Sequence, residues 1–112
     1  MMKDCYLKKN SEFQRVYSNK KISGSKYITL FTIENKRDYP RFGITTTKKI
    51  GNAVNRNFVR RRLKHLLREN SHKIKPGYDY VFVAKKDACD SDFKDFRSSF
   101  FSVLKRQKKM IK

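Results

Sequence analysis

The sequence predicts an α+β fold, a two-layer α/β sandwich with one sheet covered by helices in the order α-β-β-α-β-α. Three observations carry that prediction. Residues 26–34, 41–47 and 78–85 are rich in β-branched and aromatic side chains and alternate with the two-residue period of strands. Segments after Asn52 and Asp92, and a shorter one near Ser11, repeat apolar residues at the spacing of amphipathic helices. The stretches between them are polar and carry Gly or Pro. None is long enough to divide the chain, so residues 1–112 read as one domain.

Residues 1–9 form a short, partly ordered lead-in. Ser11-Glu-Phe-Gln14 has the form of a capping box, with Asn10 as a competing cap, and predicts a helix to about Ser18. Phe13, Val16 and Tyr17 share one side of it. The polar stretch 19–25, with Gly24, ends it. In strand 26–34 (KYITLFTIE), Tyr27, Thr29, Phe31 and Ile33 point one way and Ile28, Leu30 and Thr32 the other. A polar turn at 35–40 leads to strand 41–47 (RFGITTT), expected to be the antiparallel partner of the first. Lys48, Lys49, Ile50 and a Gly51-Asn52 turn feed a helix that reaches Glu69.

On that helix Val59, Leu63, Leu66 and Leu67 share one face. Arg56, Arg60, Lys64 and Arg68 recur every fourth residue along the neighbouring face, and Arg61 widens the charged arc. Pro76-Gly77 is a firm break. Strand 78–85 (YDYVFVAK) is apolar on nearly both faces at its centre, so it is expected in the middle of the sheet. A loop at 86–90 precedes the last helix, capped by Ser91 or Asp92 and running to about Gln107. Phe93, Phe96, Phe100, Val103 and Leu104 form its apolar stripe. Asp92 and Asp95 at its start, and Lys105 and Arg106 near its end, have the signs the helix dipole favours. The basic tail, about 106–112, is expected to fray.

Charge narrows the partner. The chain of 112 residues carries a formal net charge of +19, and self-repulsion of that size favours a polyanionic partner. From Arg41 to Arg68 there are nine Lys or Arg and no Asp or Glu, whereas a helix surface built for solubility mixes both signs. Nucleic acid is the first expectation and a membrane surface the second. No apolar run approaches a membrane span, and no amino-terminal segment resembles a secretion signal, which reads as cytoplasmic.

Catalytic chemistry is poorly represented. Cys5, Cys89, His65 and His72 are too few and too scattered for a disulfide framework or a zinc cluster. The dense acids, 87–95, fall on a loop and a helix start, where capping explains them. GNAVNR is not a phosphate-binding P-loop, and no Ser/His/Asp or Cys/His arrangement is present. Binding chemistry is better represented. Phe13 and Tyr17 on a helix and Phe31 on a strand could line a groove on which unpaired bases stack. Taken singly, each of these rings is more often core than platform.

These residues resemble a known family. The run K-K-I-G-N-A-V-x-R-N-x-x-[KR]-R-x-x-[KR], at residues 48–64, is similar to the signature of the protein subunit of bacterial ribonuclease P. The upstream K-N-x-x-F-x-x-V-[FY] at 9–17 and the strand ending A-[RK]-K at 84–86 agree with it, and the resemblance spans nearly the whole chain. It implies an α/β sandwich of the ribosomal protein S5 domain 2-like type with a left-handed β-α-β crossover, against the usual right-handed preference. It also implies a ribonucleoprotein endonuclease that removes the 5′ leader from precursor tRNA. The catalytic RNA subunit, with magnesium ions, breaks the bond. The protein binds the leader and supports that RNA, with no catalytic or metal-binding side chain of its own. Neither a membrane nor an obligate protein partner is implied.

By position, the resemblance assigns Phe13, Tyr17 and Phe31 to the leader groove, with Thr45 and Thr47 beside it. It assigns Arg56, Asn57, Arg60, Arg61 and Lys64 to the basic motif facing RNA, with Lys48, Lys49 and Asn52 in the turn before it. Arg68 continues the same ridge. The alternatives are an RNA-binding protein with no processing role and a stand-alone metal nuclease.

Overall fold

The computed structural model describes residues 5–111. Its elements are α1 (Asn10–Ser18), β1 (Lys21–Gly24), β2 (Ile28–Glu34), β3 (Arg41–Thr45), α2 (Ala53–Asn70), β4 (Tyr78–Ala84) and α3 (Phe93–Arg106). The predicted order therefore holds, with one short strand added. The sheet runs β1-β2-β4-β3. β2 is antiparallel to both β1 and β4, and β3 is parallel to β4.

Two expectations about the sheet need correction. Strands β2 and β3 are not partners, because β4 lies between them. Asp79, Tyr80, Val81 and Phe82 are all buried, and a strand that is covered on both faces gains most from a central place. The connection is built to allow this. The Asn35 amide bonds Gly77 O at 2.9 Å, so the chain passes the start of β4 instead of folding back on β2. The second correction is β1, which lies in the stretch read as polar loop. Among KISG only Ser23 is buried, and its hydroxyl donates to Val103 O at 2.8 Å. An edge strand with lysine and so little apolar content gives almost no alternation to detect.

The two faces of the sheet are covered unequally. Ile28, Leu30, Phe42, Tyr80 and Phe82 meet Val59, Leu63, Leu66 and Leu67 of α2 and Phe96, Phe100, Val103 and Leu104 of α3 in the main core. The stacked rings of Phe82 and Phe100, 5.2 Å apart, sit within it. Phe93 leaves the predicted stripe. It is 37% exposed and lies beside Arg62 and His65 at the helix start. On the opposite face Leu7, Val16 and Val81 form a small second core beneath α1.

The helix caps differ from expectation in one case. Asn52 caps α2, its side chain accepting from the Asn55 amide. Asp92 takes the N-cap position of α3, one of the two residues predicted for it. In α1, however, Ser11 is already inside the helix. The Glu12 carboxylate reaches back to the amides of Lys8 and Lys9, at 2.8 and 2.9 Å. A charged acceptor in the first turn outcompetes a hydroxyl because it satisfies two free amides and also meets the helix dipole.

Within the described residues the backbone of the tail is hydrogen-bonded. Lys109 N bonds Leu104 O and Lys108 N bonds Lys105 O, both at 2.9 Å, closing a Schellman turn. The chain then returns alongside residues 73–75. Lys75 N bonds Lys109 O at 2.7 Å, Ile111 N bonds Lys73 O at 2.8 Å, and Met110 bridges Ile74. Lys112 and residues 1–4, part of the predicted lead-in, lie outside the described residues.

Candidate nucleic-acid interface

α1 covers only part of its face of the sheet, and three half-buried aromatic rings occupy the boundary. Phe13 and Tyr17 extend from the helix, with centroids 6.5 Å apart. The Phe31 ring, on β2, meets Tyr17 edge-on at 5.0 Å. The Tyr17 hydroxyl and Thr45 Oγ1 are 2.6 Å apart, tying helix to strand at the far side of the cluster. Thr47 is exposed just beyond the end of β3.

Gly43 makes room for this arrangement. A Cβ built there would lie 2.6 Å from Phe13 Cε2, so a side chain would displace the ring. The helix is fastened from below by charge. Asp79, fully buried, receives Arg41 Nε and Nη2 at 2.9 and 2.8 Å, Asn35 Nδ2 at 2.8 Å and Arg15 Nη1 at 3.3 Å. Arg41 Nη1 also reaches Glu12 Oε2 at 3.0 Å. Hydrogen bonds from the Lys9 and Lys8 amides, and then Arg41, hold the Glu12 carboxyl down at about 2.

The basic motif begins where β3 ends. Lys48 and Lys49 are exposed in a single 3-10 turn, and Gly51 follows at φ 132°. Asn52 is occupied as the cap of α2. Arg56 Nη1 donates to Gly51 O at 2.8 Å, which binds it to the turn. Arg60 is braced twice, to Asn57 Oδ1 at 2.8 Å and Thr46 Oγ1 at 2.7 Å. Arg61, Lys64 and Arg68 are exposed along the helix. Arg60, Arg61, Lys64, Asn57 and Val54 line a shallow depression of 420 Å³.

Sequence reasoning missed several participants. Thr46 connects the two halves of the surface. Its neighbour Thr45 bonds Tyr17 while Thr46 itself bonds Arg60. Tyr6 lies beneath the ridge, with Lys64 Nζ 5.7 Å from its centroid. Burial raises its phenol, and Arg68 partly opposes that. Val54, 73% exposed, sits among the cations. A β-hydroxyl run in a strand and an apolar residue in a helix are both ordinary, so no local signal marks these positions. Arg62, beside Arg60 and Arg61 in sequence, turns the other way. Its guanidinium packs 4.4 Å from the Phe58 centroid and bonds Ser91 O at 2.7 Å, so it serves the fold.

Among the described residues, no three His, Cys, Asp or Glu side chains are grouped to hold a metal ion. No helix among them is long and apolar enough to cross a membrane.

Comparison with known proteins gives a consistent picture. The profile of the family described as Ribonuclease P matches residues 1–108. A ribonuclease P protein component from Clostridioides difficile is 46% identical over 101 residues, covering 89% of each chain. One from Alkaliphilus oremlandii is 36% identical, covering 89% of this chain and 88% of its own. Among solved structures, a mutant ribonuclease P protein of Staphylococcus aureus, described as defective in mRNA degradation activity, superposes with a TM-score of 0.90 at 32% identity. It covers 98% of this chain and 93% of its own. The ribonuclease P protein of Thermotoga maritima superposes at 0.82 with 28% identity, covering 90% and 96%.

Proposed function

This chain belongs to the ribonuclease P protein family, and from that premise we propose how its two surfaces share the work of tRNA processing. The chain acts in the cytoplasm as a single RNA-binding domain and the protein component of ribonuclease P. Its partners are the catalytic RNA subunit and precursor tRNA, and it needs no obligate protein partner. The 5′ leader lies extended in the groove of Phe13, Tyr17 and Phe31, with Thr45 and Thr47 at its edge. The basic motif, Lys48, Lys49, Asn57, Arg60, Arg61, Lys64 and Arg68, lies against RNA phosphates, with Arg56 and Asn52 shaping the turn.

The observation that carries this reading is the junction at β3. Consecutive threonines tie the aromatic groove to the cationic helix, so one RNA can run from stacking contacts to phosphate contacts without a gap. Stacking gives about 1–3 kcal/mol per base with little sequence demand, and it requires bases that are not paired. The cations add affinity that depends on salt, because bound Lys and Arg release condensed counterions.

Bond cleavage belongs to the RNA subunit and its magnesium ions. Among the described residues no group of three His, Cys, Asp or Glu is placed to hold the metal, and on this reading the chain's part is to bind, align and neutralise. The test is reconstitution at low magnesium with precursor tRNA. Protein with RNA subunit is expected to release the leader far faster than RNA alone. Correct cleavage by the protein without RNA would overturn the division of labour, and no effect of added protein would overturn the role.

A further inference from the structure

At the opposite end of the sheet from Thr45 and Thr46, a cleft of 680 Å³ opens beside the end of β2, the start of β4 and the last turn of α3. Its walls carry Lys20, Lys21, Arg106, Lys108 and Lys109, against one carboxylate, Glu34. The seven residues of β2 separate it from the end of the sheet where the basic motif begins, roughly 20 Å at ~3.3 Å per residue. That exceeds the Debye length of about 8 Å at physiological salt, so the two basic regions act as separate fields.

The helix dipole explains Arg106 but not this assembly. Lys20 and Lys21 come from another part of the chain, and Lys108 and Lys109 lie past the helix end. Lys108 takes the left-handed position of the Schellman turn, at φ 57°, where glycine is the usual occupant. The chain thus keeps a cation where backbone geometry favours having no side chain. Lys109 Nζ lies 3.9 Å from the Tyr78 centroid and Lys75 Nζ 5.6 Å, so the ring holds cations instead of offering a free stacking face. Gln107 stiffens the floor, accepting from Thr32 Oγ1 at 2.5 Å and donating to Ser23 Oγ at 3.0 Å.

We propose that this cleft is a second RNA site, which takes the phosphodiester backbone of a strand by charge alone and reads no bases. The proposal rests on the reading of the chain as an RNA-binding subunit and extends it: RNA is contacted at both ends of the sheet.

The test uses the full chain and poly-uridine RNA, with affinity measured across a salt series. The variant K20A/K21A/K108A/K109A is expected to flatten the log–log salt slope by roughly 2–3, at ~0.7 per single-strand phosphate contact. R60A/R61A/K64A, in the basic motif of α2, is expected to flatten it independently, and the two losses add. An unchanged slope in the quadruple variant, with a native circular dichroism spectrum, would overturn the second site. If neither variant moved the slope, the RNA-binding reading itself would fall instead. Lysine-reactivity footprinting of the unaltered protein in the reconstituted holoenzyme provides a check that needs no variant. RNA is expected to protect Lys20, Lys21, Lys108 and Lys109, and full reactivity would overturn the proposal. Inorganic phosphate at matched ionic strength is expected to leave that protection intact. Its loss would identify a small-anion site and overturn the RNA assignment.

Discussion

The two faces of the sheet are built to different standards. Under α2 and α3 a large core is enclosed, with Phe82, Phe96, Phe100 and Leu63 fully buried and rings such as Phe58, Tyr78 and Phe101 half-buried only at its rim. Under α1 the enclosed apolar side chains among the described residues are Leu7, Val16 and Val81, while Phe13, Tyr17, Phe31 and Val83 stay half-exposed around them. The closed face gets its stability from buried apolar area. The open face is held by a short helix, a buried acid with two arginines, and one tyrosine–threonine bond. The comparison shows where a chain with so few apolar residues can leave aromatic surface available: on the side whose attachment is polar.

The sharpest test of that contrast lies on the closed face. Phe100→Ala removes a fully buried ring stacked on Phe82, and the site can collapse little because helix and sheet both bound it. The expected loss is about 3–5 kcal/mol of unfolding free energy in urea titration. Folded protein, at temperatures where it persists, should keep its preference for leader-bearing over mature tRNA. A selective loss of leader preference would mean that the closed face also shapes the groove.

The open face should respond the other way. Phe13→Ala removes a half-exposed ring, so its stability cost should fall well below that of Phe100→Ala. Affinity for precursor with a leader should drop by about 1–3 kcal/mol, the range for one base stacked on one aromatic. Mature tRNA should bind nearly as before. Equal weakening of both would remove Phe13 from the groove and with it the functional half of the contrast.

The closed face was the more legible of the two in the sequence. Val59, Leu63, Leu66 and Leu67 announce their helix face by spacing alone, and YDYVFVA announces a central strand by its lack of a polar side. The open face left weaker marks. Phe13 and Tyr17 have the same spacing whether they fill a core or line a groove, so their assignment came from resemblance to a family. The fastening of α1 was invisible, because Asp79 meets Arg41 and Arg15 across 38 and 64 residues of chain. A lone acid in an apolar strand does not say which cations will reach it. Gly43 and Thr46 act only through neighbours that the fold brings in. The misplaced β3 has a similar cause: adjacency in sequence favours a hairpin, but the burial that decides the centre of the sheet is settled by β4, which comes later in the chain.

The smallest expected effect separates the faces by pH. The folded Glu12 carboxyl is held at about 2, from an ordinary 4.5, first by the amides of Lys9 and Lys8 and then by Arg41. The unfolded chain therefore takes up this proton at a higher pH than the native one. The contribution is complete above about pH 4.5 and is lost as pH falls from there toward 2. Because the group lies at a partly exposed helix start, its share at neutral pH should be under about 1 kcal/mol. Glu12→Gln should give a slightly less stable protein at pH 7 and a shallower decline of urea stability between pH 5 and pH 3 than the unaltered chain. Parallel declines would show that α1 is not fastened by this carboxylate. The same substitution also cuts the Glu12 contact to Arg41, so leader affinity at neutral pH should weaken while the α2 and α3 core keeps its near-ultraviolet signature. An open face that loosens under charge neutralisation while the closed face stays packed is what two separately fastened layers require.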